Sequence, residues 1–186
     1  MFVLGGARSG KSRYAQERAE QAAGPGGRVL FIATAEARDE EMRERVRRHR
    51  LARPGHWTTV EAPRLAARAV ADAAPGTGAV LVDCLTLLMT NLLLEPLDLS
   101  DAGAAEADAG AAEAEVLAEI ERLLAAARAA PAPVILVSNE VGLGVVPPSE
   151  LGRAFRDIAG RAHQRVAAEA DEVVFLVAGI PQRIKG

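Results

Sequence analysis

The sequence predicts an α/β fold, a mostly parallel sheet flanked by helices. Three observations predict it. Short runs rich in Val, Ile and Leu recur along the chain and are apolar at successive positions, as in strands buried on both faces. Long helical stretches separate these runs after the first. Several runs end on polar residues, and ligands bind at the carboxyl ends of strands in such sheets.

The elements follow in order. Phe2–Gly5 is the first strand, and Lys11–Ala23 has a helical pattern that Gly24-Pro25-Gly26-Gly27 breaks. Val29–Thr34 is the second strand. A helix is expected over Glu40–Leu51, closed by Pro54-Gly55, and Trp57–Glu61 suits an edge strand. Arg64–Ala73 reads as a helix and Ala79–Asp83 as a strand. Asp101–Ala114 is nearly all Ala, Gly, Asp and Glu, so Pro96–Gly110 reads as a loose connection. It leads into a helix over Ala111–Ala129, where Val116, Ile120, Leu123 and Leu124 have amphipathic spacing. Val134–Asn139, a helix over Ser149–Glu169, and Glu172–Ala178 complete the pattern. There is no fixed-period repeat. At 186 residues the chain suits one domain, and 1–186 is read as a single catalytic domain.

Composition narrows the function classes. Apolar residues make up 49% of the chain and aromatics 3%, which predicts a largely aliphatic core. The net charge of −3 gives no global attraction to nucleic acid. Cys84 is the single cysteine, so no intramolecular disulfide forms. The N-terminus lacks a basic, apolar leader, and no run approaches the ~18 apolar residues of a membrane span. The expectation is a soluble cytoplasmic protein without a membrane span.

The segment GGARSGKS, Gly5 to Ser12, fits G-x-x-x-x-G-K-[ST] between a strand and a helix. Gly5, Gly6 and Gly10 let backbone N–H groups converge on phosphate oxygens, with Ala7, Arg8 and Ser9 completing the turn. The helix N-terminus adds its dipole. Lys11 then reaches the β- and γ-phosphates and Ser12 ligates Mg²⁺. The fold class is therefore P-loop NTPase-like. Asp83 ends its strand where an acidic residue assists Mg²⁺, though capping the next helix is an alternative role. Ser138, Asn139 and Glu140 end another strand, so Gly5, Thr34, Asp83 and Asn139 should crowd one edge. Gly142 and Gly144 suit either a loop that covers a substrate or a plain tight turn.

Arg43–Arg53 contains six arginines and one of the chain's three histidines, His49. Met42, Val46 and His49 share one helical face, which puts His49 on the inward line. A histidine there is more often a packing residue than a catalyst. The arginines suit a nucleic-acid patch, a solvated face with i,i+4 pairs, or a grip on one triphosphate. His56 reads as a loop residue and His163 as a helix-surface or packing residue.

Several segments appear in an order that resembles a known family. They are GGARSGKSRYA, LFIATAEARDEEMRERVRRHRLARPGHWTTVEAP, VLVDCLTLLMTNLL, VSNEVGLGVVP and FRDIAGRAHQRVAAEADEVVFLVAGIP. The family is the bifunctional adenosylcobinamide kinase/adenosylcobinamide-phosphate guanylyltransferase of cobalamin biosynthesis. The resemblance covers nearly the whole chain and is weakest over Pro96–Ala130.

It implies two reactions. ATP or GTP phosphorylates the aminopropanol hydroxyl of adenosylcobinamide. GMP from GTP is then joined to adenosylcobinamide phosphate through a guanylylated histidine, which matches His49. Some relatives have a second histidine where Arg48 stands. The resemblance further implies nucleotide contacts at Thr34, Ala35, Glu36, Arg50, Leu51, Ala52, Arg53, Glu61 and Asp83, and a homotrimer with sites near subunit boundaries. Nearby arginines would keep His49 unprotonated and nucleophilic. Two other classes compete: a P-loop small-molecule kinase without guanylyltransferase activity, and a nucleic-acid-binding module. Acidic net charge and sparse aromatics disfavour the second.

Overall fold

The computed structural model describes residues 1–36, 40, 44, 47, 53–94 and 105–186, with the backbone alone for 105–109. Seven strands form one sheet: β1 (Phe2–Gly5), β2 (Val29–Ala33), β3 (Thr58–Glu61), β4 (Ala79–Asp83), β5 (Val134–Asn139), β6 (Val173–Val177) and β7 (Ile180–Lys185). Their order is β3-β2-β4-β5-β1-β6-β7. All neighbours run parallel except β6 and β7, which form an antiparallel hairpin. The described helices are α1 (Lys11–Ala23), α2 (Ala66–Ala71), α3 (Leu85–Leu94), α4 (Ala105–Ala129) and α5 (Glu150–Glu169).

The continuous apolar runs have the expected consequence. Phe2, Leu4, Ile32, Val82 and Leu136 pack on one face of the sheet with residues of α2, α3, α4 and α5. Val3, Phe31, Leu81, Val137 and Val174 pack on the other with Ala15 and Ala19 of α1. Period-two alternation thus feeds two cores. After β1 the chain crosses to β2 in one direction along the sheet, whereas after β4 and β5 it steps the other way. Right-handed crossovers place such opposite steps on opposite faces, so α1 stands apart from the other described helices. The connections leaving β1 and β5 therefore depart to opposite faces at the carboxyl edge.

Several sequence expectations need correction. Pro96–Gly110 is not all loose connection, because α4 begins at Ala105. Alanine favours the helix even where no amphipathic stripe marks it. The helix expected over Arg64–Ala73 is confined to Ala66–Ala71, and the strands reaching Thr34 and Ala178 stop at Ala33 and Val177. Strand β7 was not anticipated, and α3 was implied only as a helix for Asp83 to cap, with no extent given. LTLLMTNLLL is apolar around its whole circumference, so it carries little helical periodicity; it is buried on most sides. IPQRIK is exposed throughout, with no apolar face to mark a strand. The helix expected over Glu40–Leu51 lies largely outside the described residues.

Candidate active site

The loop from β1 to α1 is built for close backbone approach. A Cβ at Gly5 would lie 2.5 Å from Ser9 Oγ and 2.9 Å from the Leu176 carbonyl oxygen, so only glycine fits. Gly10, the N-cap of α1, has φ 93, in the left-handed region. No side chain caps this helix and its first turn has no acidic residue. Its positive dipole end faces the glycine loop, a setting that favours an anion. Lys11 is buried, and its Nζ donates to the Gly6 carbonyl at 3.1 Å. Ser9 N donates to the same carbonyl at 3.2 Å. Ser9 Oγ is buried without a hydrogen-bond partner. Ala7 and Arg8 are exposed at the tip, and Ser12 is half-buried in the first turn.

The hairpin turn between β6 and β7 supports this loop. Ala178 and Gly179 have φ 51 and 82, and Gly179 N donates to Ser9 O at 2.9 Å.

The ends of β2, β3 and β4 lie side by side, with Ala33 in register with both Glu61 and Asp83. Thr34, the next residue, is fully buried. Its hydroxyl donates to Cys84 O and accepts from Cys84 N, each at 2.7 Å. Asn91 of α3 donates through Nδ2 to Thr34 O at 2.8 Å and to Pro63 O at 3.0 Å. One amide therefore ties the segment after β2 to the segment after β3. Ala35 and Glu36 are half-buried, and Glu36 pairs with Arg64 at 3.0 Å. Glu61 is exposed and Asp83 half-buried. Burial, reinforced by neighbouring Asp83, pushes the Cys84 thiol up to about 11.

Arg53 stacks its guanidinium 3.5 Å from the centre of the Phe31 ring and donates to Thr59 Oγ1 at 3.2 Å. At the end of β5, Asn139 N donates to Thr86 Oγ1 at 2.7 Å and Glu140 N to Gly5 O at 3.1 Å. The expected crowding of Gly5, Thr34, Asp83 and Asn139 at one edge is thus present in the strand register. Gly142 and Gly144 lie in the exposed turn that follows β5. His56 occupies an exposed turn and His163 is buried against Phe2. His49, Arg50, Leu51 and Ala52 lie outside the described residues.

Sequence reading missed Thr86, Asn91 and Gly179. Their roles depend on partners far along the chain, and no local motif marks them.

A mostly parallel sheet whose first strand enters a glycine loop and then a helix opening with a buried lysine defines the class: a P-loop NTPase-like α/β protein. Comparison with known proteins narrows it. The family model described as cobinamide kinase / cobinamide phosphate guanyltransferase matches residues 1–184. The "Bifunctional adenosylcobalamin biosynthesis protein CobU" of Escherichia coli is 47% identical over 186 residues, covering 100% of this chain and 99% of the relative. The protein of the same name from Salmonella typhimurium is 46% identical over 192 residues, covering 100% and 99%. "Bifunctional adenosylcobalamin biosynthesis protein CobP" of Pseudomonas aeruginosa is 44% identical over 187 residues, covering 100% and 96%. The chain belongs to the cobinamide kinase / cobinamide phosphate guanyltransferase family, a family of enzymes that combine kinase and nucleotidyltransferase activities. Among the described residues, no helix is long and apolar enough to cross a membrane.

Proposed function

We propose that this chain, as one catalytic domain over 1–186, phosphorylates adenosylcobinamide and then guanylylates the product. In the first step the aminopropanol hydroxyl attacks the γ-phosphorus of ATP or GTP and the nucleoside diphosphate leaves. In the second, an imidazole nitrogen of His49 attacks the α-phosphorus of GTP and pyrophosphate leaves. A phosphate oxygen of adenosylcobinamide phosphate then displaces His49, giving adenosylcobinamide-GDP. Covalent transfer splits one hard displacement into two easier ones.

The observation that carries the reading is the glycine loop, where Gly5 excludes any side chain and Lys11 sits against Gly6. Gly5, Gly6, Ala7, Arg8, Ser9, Gly10 and Ser12 would cradle the phosphates. Lys11 would neutralise charge on the transferring group. Thr34, Ala35, Glu36, Arg50, Leu51, Ala52, Arg53, Glu61 and Asp83 would contact the nucleotide.

Ser12 and Asp83 would hold Mg²⁺. No group of three His, Cys, Asp or Glu that could hold a metal occurs among the described residues. That donor set fits Mg²⁺, which takes one or two protein oxygens and completes its shell with phosphates and water. When bound, the ion would offset the charge of the phosphate oxygens. Family resemblance supports a homotrimer, and the lone cysteine supports a cytoplasmic location.

The test uses GTP labelled at the α-phosphate. Wild type should acquire acid-labile, base-stable label on the peptide containing His49, and His49→Ala should acquire none. Equal labelling of His49→Ala would remove His49 from its role. Phosphoryl transfer with no adduct in wild type would support a kinase lacking the guanylyltransferase step.

A further inference from the structure

The proposed function leaves the buried histidine, His163, without a task. It lies on α5, 6% exposed, with its ring 5.7 Å from that of Phe2 on β1. Its Nε2 is 2.8 Å from Ser138 Oγ. Ser138 Oγ is 3.1 Å from Thr86 Oγ1, which also accepts the Asn139 N–H. On its other side, Nδ1 faces Glu140 Oε2 at 3.8 Å. One line of polar groups therefore joins α5, the end of β5 and the first turn of α3.

Asn139 N donates to Thr86 Oγ1, and one hydrogen bond joins each further pair along the line, Thr86 with Ser138 and Ser138 with His163 Nε2. The hydroxyls of Thr86 and Ser138 can each give a hydrogen and accept one. Burial favours the neutral form of His163, against the smaller opposing pull of Glu140.

The line ends where the phosphate loop begins. Asn139 is in register with Gly5, and Glu140 N bonds to Gly5 O. Thr86 stands three residues beyond Asp83. A side chain linking these points fixes the strand ends relative to one another.

We propose that His163 is a positioning residue for the phosphoryl-transfer site. Through Ser138 and Thr86 it holds the end of β5 and the junction after Asp83 in place against the phosphate loop. It touches no reacting atom. The inference rests on the reading that the carboxyl edge binds the nucleotide.

The test compares full-length wild type, His163→Leu, His163→Gln, Ser138→Ala and Lys11→Ala. His163→Leu should lower kcat for phosphoryl transfer about tenfold, because small misplacements are costly there. KM values for nucleotide and cobinamide should stay within about twofold. Amide exchange at Asn139 in ligand-free protein should quicken about tenfold as its bond to Thr86 loosens. His163→Gln, which offers an amide oxygen to Ser138, should regain most of kcat. Ser138→Ala keeps the ring and cuts the line, so it should reproduce the kcat loss even if His163→Leu fails to fold. Unchanged kcat in His163→Leu or Ser138→Ala overturns the inference, as does a loss that His163→Gln fails to regain. Exchange that quickens evenly along the chain also overturns it, because that is the mark of lost stability alone. Inactive Lys11→Ala beside fully active His163→Leu overturns this inference only. Active Lys11→Ala overturns the site reading and this inference with it.

Discussion

Gly10 and Gly179 meet back to back: a Cβ on Gly10 would lie 3.3 Å from Gly179 Cα. Both residues have positive φ, 93 and 82. The turn of the glycine loop and the turn of the last hairpin therefore brace each other.

Gly10→Ala should disturb both turns. A Cβ in left-handed backbone costs roughly 1–2 kcal/mol, before any push against Gly179. If the loop relaxes to avoid that, its N–H groups lose aim, and nucleotide affinity should fall about tenfold, equivalent to about 1.4 kcal/mol. Calorimetric titration with GTP measures this. Unchanged affinity would show that the loop is not held by its neighbour.

Asn91 should matter more than its place on an apolar helix suggests. Asn91→Leu keeps the volume but removes the donor to Thr34 O and Pro63 O. Thr34 O is buried, and leaving it unpaired costs about 1–3 kcal/mol; Pro63 O is partly buried and adds less. Urea unfolding should therefore show a clear drop in midpoint at unchanged slope. A loss below about 1 kcal/mol would mean that water or another donor replaces the amide.

Cys84 makes a pH prediction. Its folded-state pKa is raised to about 11, chiefly by burial, from an ordinary value of 9.0. Between these values the unfolded chain has lost the thiol proton and the folded chain keeps it. The folded state then binds more protons, so stability falls as pH rises, by up to about 1.4 kcal/mol per pH unit. The contribution is fully present below the unfolded pKa. Cys84→Ala should flatten this part of the curve when unfolding is followed from pH 8 toward 11. Equal slopes for the two proteins would contradict the shift.

Much of this arrangement was legible in local sequence. The glycine loop is written within eight residues, Gly5–Ser12, and Gly5 and Gly10 each have a backbone reason to be glycine. The strand runs were legible because parallel strands buried on both faces cannot hide their composition. What local pattern does not carry is pairing at distance. Asn91 and Thr34 are 57 residues apart, and Thr86 and Ser138 52. Nothing near Asn91 distinguishes it from a polar interruption in an apolar helix. His163 reads as a packing residue, which it is, but its bond to Ser138 depends on how α5 lies across β5. Strand β7 escaped notice because exposure leaves no periodic mark.

The sheet order has a consequence for synthesis of the chain. β1 emerges first, yet its two neighbours, β5 and β6, are among the last strands made. While the ribosome works through the intervening sequence, this short apolar strand has neither flank to pair with, and its early pairing choices include wrong ones. Gly179, which bonds to Ser9 O, follows later still, after β6. The loop from β1 to α1 therefore reaches its final arrangement only after the strands on both sides of β1 and the turn that follows β6 have been made.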